Sequence, residues 1–178
     1  MTAYTTTDLM IDRHYDARRG RHMLNGVTHV LHCHHYLSLY TQLAEDCGML
    51  DGPKLLAEVA EDSFYRFLST YYSEHQIHSL DDRIALAEQY YAFTGLGKMI
   101  IRSAGPDSGV VELEHSHVDA GWEKKWGRQQ KPINHITRGY ISALFAALFD
   151  APPRTWTTRE ISAMITGADR SEFAVVRK

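Results

Sequence analysis

The longest apolar stretch of the chain is Ile133–Phe149, read INHITRGYISALFAALF, and its second half from Ile141 is apolar on almost every face. A helix that is apolar all round is buried on most sides. Pro132 stands just before it, where a missing N–H costs little, and Pro152 and Pro153 follow Asp150 and stop it. Its length reaches only roughly 25 Å, and His135 and Arg138 interrupt it, so the pattern predicts a central core helix and no membrane span.

The remaining pattern falls into helices and short strands. Residues 1–8 are polar and threonine-rich and read as a loose end. Leu9–Asp12 and Arg21–Leu24 read as short strands, the second ending at the turn pair Asn25-Gly26. Val27–Cys33 reads as a strand or extended lead into a helix that begins near His34 and runs to about Cys47, with Tyr36, Leu39, Tyr40 and Leu43 on one face. Asp51 and Pro53 start the next helix as cap and first-turn proline, with Leu55, Leu56, Val59, Phe64, Phe67 and Leu68 as its core face. Ser79 opens a third helix that carries Ile84, Leu86, Tyr90, Tyr91 and Phe93 and stops at Gly95-Leu-Gly97. Lys98–Ser103 and Gly109–His115 predict a hairpin about the turn Gly105–Ser108. A short amphipathic piece, Asp119–Gly127, carries Trp122 and Trp126. After the central helix come a β-rich Arg154–Glu160, a strand or turn over Ser162–Asp169 passing Gly167, and a last strand at Glu172–Arg177. The expectation is an α+β fold in one domain over 1–178, with helices covering one face of a mostly antiparallel sheet.

Composition narrows the function classes. Hydrophobic residues make up 44% and charged residues 23% of 178, enough to bury a core. A net charge of −3 with no basic block gives no reason to expect nucleic acid or an anionic membrane as partner. The N-terminus lacks a charged and apolar leader pattern, and Cys33 and Cys47 form no CxxC. These features predict a cytoplasmic protein in a reducing compartment. Histidine changes the picture, with 11 in the chain. His29, His32, His34 and His35 crowd one segment, and His115 and His117 form a second group.

In a strand, residues i and i+2 point to the same side, so His115 and His117 can reach one metal ion, and neutral imidazole suits Zn and Fe alike. The ordinary alternative is a solvated strand end. His32 and His34 share a face if extended; His32, His35 and Tyr36 share one if helical. The ordinary alternative there is a surface cluster. Trp122 and Trp126 share a helical face, either as a lid on the core or as the wall of a pocket with Tyr36, Tyr40, Phe93, His135 and Tyr140. GxSxG, HExxH, a P-loop and a GxGxxG after a strand are all absent.

The last forty residues resemble a known family. Gly139–Phe149, a Trp/Thr-rich strand, and then Glu160, Gly167 and Phe173 at their spacing are similar to the C-terminal signature of the 4-vinyl reductase-like domains. Upstream, only element order matches. The two cysteines of that signature fall on Ala163 and Ser171, so the metal or thiol site that the resemblance implies loses those ligands. The resemblance implies a fold shared with haem-based nitric-oxide sensors and vesicle-tethering subunits, and binding of small apolar molecules, in some members linked to tetrapyrrole synthesis. Fold likeness alone does not give function.

Three hypotheses follow. The first is a binding module that encloses a small apolar or aromatic ligand, tetrapyrrole included, beneath Ile133–Phe149, with histidines at the mouth or on a haem iron. The second is an Fe or Zn enzyme built on His32, His34, His35, His115 and His117 with an open coordination position. The third is a structural homodimer whose apolar helices pack across a two-fold axis.

Overall fold

The computed structural model describes residues 8–30 and 33–178. The loose-end reading of residues 1–7 and the candidate ligand His32 lie outside the described residues. The fold is α+β with antiparallel strands, as expected, but the strands form two sheets. A small sheet of order β1-β2-β3 joins β1 (Arg13–Asp16), β2 (Arg21–Leu24) and β3 (Val27–His29). The first strand lies later than the Leu9–Asp12 read from sequence. Asn25 explains the shift: its Oδ1 accepts from the Asp12 N–H at 2.8 Å and its Nδ2 donates to the Met10 carbonyl at 3.1 Å, so Leu9–Asp12 crosses the hairpin turn instead of pairing in the ladder.

The main sheet has the order β4-β5-β7-β6, from β4 (Gly97–Ala104), β5 (Ser108–Ser116), β6 (Trp156–Ser162) and β7 (Ser171–Arg177). The expected hairpin about Gly105–Ser108 is β4–β5. The segment after β6 is a single 3-10 turn, Met164–Thr166, ended by Gly167 at φ 104°.

Five helices complete the described chain: α1 (His34–Asp46), α2 (Gly52–Glu74), α3 (Leu80–Phe93), α4 (His117–Trp126) and α5 (His135–Leu148). The caps read from sequence hold. Asp51 accepts from the Lys54 N–H at 3.1 Å, and Ser79 Oγ from the Asp82 N–H at 3.4 Å. None of the described helices is long and apolar enough to cross a membrane.

Every residue of α5 except Arg138 is buried. One side packs on α2 so closely that a Cβ on Gly139 would lie 2.1 Å from the Ala57 carbonyl oxygen. Another side meets the sheet through Phe145 and Trp156, ring centroids 5.2 Å apart. Aromatic rings fill the space between α2, α3 and α5: Phe67 stacks on Tyr90 at 3.7 Å, and the Tyr140 hydroxyl donates to the Ala87 carbonyl at 2.6 Å. Arg83 on α3 donates to the Ala147 and Leu148 carbonyls at 3.2 and 3.0 Å, satisfying the open C-terminal end of α5.

The two preceding helices depart from the expected core faces. On α1 the face of Tyr36, Leu39, Tyr40 and Leu43 is exposed, and the buried side carries Leu37, Ser38, Thr41 and Ala44. On α2, Leu55 and Val59 are exposed, while Phe67 and Leu68 are buried. Periodicity identified the apolar stripe of α1, but α2 and α4 take its other side.

Candidate site at the N-terminal end of the central helix

Asn134 is the N-cap of α5, and its side chain accepts from the Thr137 N–H at 3.3 Å. Its Nδ2 donates to Ser116 Oγ at 2.9 Å, and its backbone N–H points at Glu160 Oε2 at 3.4 Å. Ser116 is itself the N-cap of α4, accepting from the Asp119 N–H at 3.1 Å. One asparagine thus ties the starts of two helices to strand β6.

Around this tie lie two buried carboxyls, Asp119 at 4% exposure and Glu160 at 6%. Neither Asp119 oxygen meets hydrogen-bond geometry with a partner, nor does Glu160 Oε1 or the neighbouring buried Trp122 Nε1. Burial raises the Asp119 carboxyl to about 6, against the pull of nearby Ser116, Asn134 and Ser171. Burial, and then the Asp119 charge, raises Glu160 to about 8. Trp122, Ile133, Ala163 and Ile165 form a small apolar cluster of their own beside it.

The next residue along α5 begins a second polar group. His135 is buried. Its Nε2 donates to Glu45 Oε1 of α1 at 2.7 Å, and its Nδ1 lies 3.1 Å from Arg138 Nη1. A guanidinium only donates, so Nδ1 accepts and the ring is the neutral tautomer with its proton on Nε2. Burial, with Arg138 and Lys131 nearby, holds its pKa below the usual histidine value against the pull of Glu45. Burial pushes the Glu45 carboxyl up, but Lys131 and His135 outweigh it and the net shift is downward.

The sequence-derived pocket residues divide. Trp122, His135 and Tyr140 are buried near this end or in the core. The Tyr140 hydroxyl is already used on α3. Tyr36, Tyr40, Phe93 and Trp126 are exposed, on α1, at the end of α3 and at the end of α4, so they wall no common enclosure. Trp126 lies against Trp122 at 4.6 Å, with Lys125 over its ring at 4.2 Å.

The histidine groups do meet, in part. His34 stacks on His35 at 4.4 Å and approaches His117 edge-on at 5.9 Å. The expected same-side pair of His115 and His117 is not formed, because the Ser116 cap ends the strand and His117 opens α4. Among the described residues no group of three His, Cys, Asp or Glu side chains is arranged to hold a metal ion. No disulfide joins Cys33 and Cys47.

Asp119, Asn134, Ser116, Glu45 and Arg138 were not read from sequence as site residues. Glu160 was legible as part of the C-terminal signature, and Ser116 and Asn134 had the chemistry of caps. The burial of Asp119 close enough for its charge to act on Glu160 had no signal in either segment. Clefts lie elsewhere: one of about 510 Å³ between the small sheet and α2, past Val27, Val59, Phe67 and Tyr71. A more polar one of about 290 Å³ lies beside Arg138, Ser142 and Arg154.

No family model matches the chain. No curated protein matches it in sequence either. The fold does have solved counterparts. The phenol-responsive sensory domain of the transcription activator PoxR, solved with phenol, is similar at TM-score 0.77 and 16% identity, covering 93% of this chain and 84% of that one. A trafficking protein particle complex subunit 3 from Naegleria fowleri, covalently bound to palmitic acid, is similar at TM-score 0.54 and 14% identity, covering 81% and 91%. At these identities the likeness shows the fold.

Proposed function

We propose that this chain is a small-molecule-binding domain that takes a small one-ring apolar or aromatic molecule at the N-terminal end of α5, against Trp122 and the Asp119–Glu160 pair. The observation that carries the reading is a set of buried polar atoms there that meet no well-formed hydrogen bond: Trp122 Nε1, which has none, and both Asp119 oxygens and Glu160 Oε1, which have only the nearby Ser116, Asn134 and Ser171 to lean on. Such atoms are rare in folded proteins and call for a partner. With Glu160 protonated at neutral pH, the indole and that carboxyl can donate while the Asp119 oxygens accept, so the ligand class is a ring bearing a hydroxyl or amino group, which can do both. The adjoining Trp122, Ile133, Ala163 and Ile165 supply apolar walls. The fold likeness to a sensory domain solved with phenol and to a palmitate-bound subunit supports a ligand-carrying use of this architecture. The centre is closed, so the ligand enters by displacement of α4, which is 10 residues long and ends at Gly127 with φ 79°.

A panel of phenols, anilines and apolar acids tested by calorimetry and by Trp fluorescence decides this. The expected result is saturable one-to-one binding of a hydroxylated or amino-bearing ring, weakened at least ~10-fold by Asp119→Asn, the loss of one charge-assisted hydrogen bond. Binding that survives Asp119→Asn and Trp122→Phe but is lost in Val59→Trp places the ligand in the cleft on α2 and overturns this placement. No binding by a folded protein across the panel overturns the reading itself.

A further inference from the structure

The outer face of α1 is an apolar surface that the ligand reading does not use. Tyr36, Leu39, Tyr40 and Leu43 occupy positions i, i+3, i+4 and i+7, the spacing of a buried helical stripe. Here they are 52%, 43%, 47% and 57% exposed. The buried side of the same helix holds smaller and more polar residues, Ser38 and Thr41 among them. In the turn beyond the helix end, Met49 and Leu50 are exposed as well. The four residues of the stripe leave on the order of 400 Å² in water, about half of the ~800 Å² that each partner gives to a standard interface, and so could form its apolar centre.

We infer that this face binds a second copy of the chain, with the two α1 helices packed antiparallel across a two-fold axis near Tyr40. The charges beside the stripe favour a self-partner. His35 and Asp46 are both exposed and lie eleven residues apart at opposite ends of α1. Eleven residues turn the helix through about three full turns, so both side chains flank the stripe on the same side. A two-fold axis perpendicular to the helices keeps that flank and reverses the ends. It sets the imidazole of His35 against the carboxylate of Asp46 in the second copy, twice per dimer. A parallel pair, with its axis along the helices, would instead put the His35–Asp46 flanks of the two copies on opposite sides of the contact and leave both groups unpaired. His35 Nδ1 lies 3.4 Å from Cys33 Sγ, so Nε2 is the ring nitrogen that would meet that carboxylate. The same symmetry brings Cys33 of one copy toward Cys47 of the other, the residues that bound α1 at its two ends.

Sedimentation velocity on the untagged, reduced protein tests the state, and thiol crosslinking tests the geometry. A dimer with a Kd in the micromolar range or below is expected. Leu39→Glu and Leu43→Glu should each weaken it at least ~100-fold with unchanged far-UV circular dichroism, because both side chains are exposed in one copy. His35→Asp or Asp46→His alone should weaken it ~10-fold, and the double exchange should restore it. Brief oxidation should give a covalent dimer linked Cys33 to Cys47, absent in Cys33→Ser and in Cys47→Ser. A chain that stays monomeric to high micromolar concentration overturns the inference. So does a dimer that withstands Leu39→Glu and Leu43→Glu, or one that crosslinks Cys33 to Cys33. None of these outcomes bears on ligand binding, because Trp122, Asp119 and Glu160 take no part in the face.

Discussion

Helices α1 and α5 are nearly the same length, 13 and 14 residues, and both carry a strong apolar pattern. In α5 the pattern and the burial agree, with the sheet on one side, α2 on another and Arg83 closing its C-terminal end. In α1 they disagree: its large apolar residues face water and its small and polar ones face the fold. The contrast separates what each helix does for the single chain. Helix α5 is where the fold is held, and α1 holds a surface that the single chain does not cover. Substitutions on the two helices should therefore split between stability and association.

The largest effect should come from the closest approach. A Cβ on Gly139 would sit 2.1 Å from Ala57 O and 2.8 Å from Ala60 Cβ, so Gly139→Val drives α2 away from α5. Its cost should reach ~3 kcal/mol or more, read as a lowered urea midpoint or loss of folding. Leu144→Ala leaves a cavity in the middle of the same helix, where Leu144 is fully buried, and should cost ~2–5 kcal/mol in urea denaturation. A midpoint unchanged by either substitution would remove α5 from its place as the centre of the core.

The pair at the start of α5 sharpens the comparison through pH. The folded-state pKa of Glu160 is raised to about 8 by burial and by the Asp119 charge. A carboxyl raised in the folded state gives its stability in full below the unfolded value and loses it as pH rises through the folded one. Wild-type stability should therefore fall from about pH 5 to pH 8, by a few kcal/mol at most. Glu160→Gln has no proton to release and should flatten that fall, so the variant exceeds wild type at pH 8 and approaches it near pH 5. Asp119, raised to about 6, contributes a loss in a lower window that Glu160→Gln leaves in place. Urea titrations at several pH values read both; a wild type with no decline over this range would mean that the pair is not buried together. Asn134→Ala, removing the cap of α5 and the tie to Ser116, should cost ~1–2 kcal/mol by the same measurement.

Much of this fold could be read from the chain because its signals are local. Asp51, Ser79 and the turn about Gly105–Ser108 fix helix starts and a hairpin without help from distant residues. The apolar run of Ile133–Phe149 needed no partner to be read as core. The site was less legible. His135 was identified, but its partner Glu45 lies ninety residues earlier, at a position that a surface glutamate would fill equally well. Asp119 and Glu160 come together only because Ser116 and Asn134 cap adjacent helices, an outcome of packing that neither segment encodes alone. The split of the strands into two sheets was also hidden, since alternation gives strands but not their neighbours.

The smallest effect should come from the exposed stripe itself. Leu43→Ser, measured at a concentration below the dimer's dissociation constant, removes a side chain that is 57% exposed and that the single chain packs little. Its stability should change by less than ~0.5 kcal/mol, against ~2–5 for Leu144→Ala on α5. Raised to a concentration where wild type associates, the same substitution should lower the melting temperature relative to wild type, because association stabilises only the folded chain. A concentration-independent loss of ~2 kcal/mol or more would show that Leu43 is buried within one copy. The outer face of α1 would then belong to the core, and the distinction between the two helices would fail.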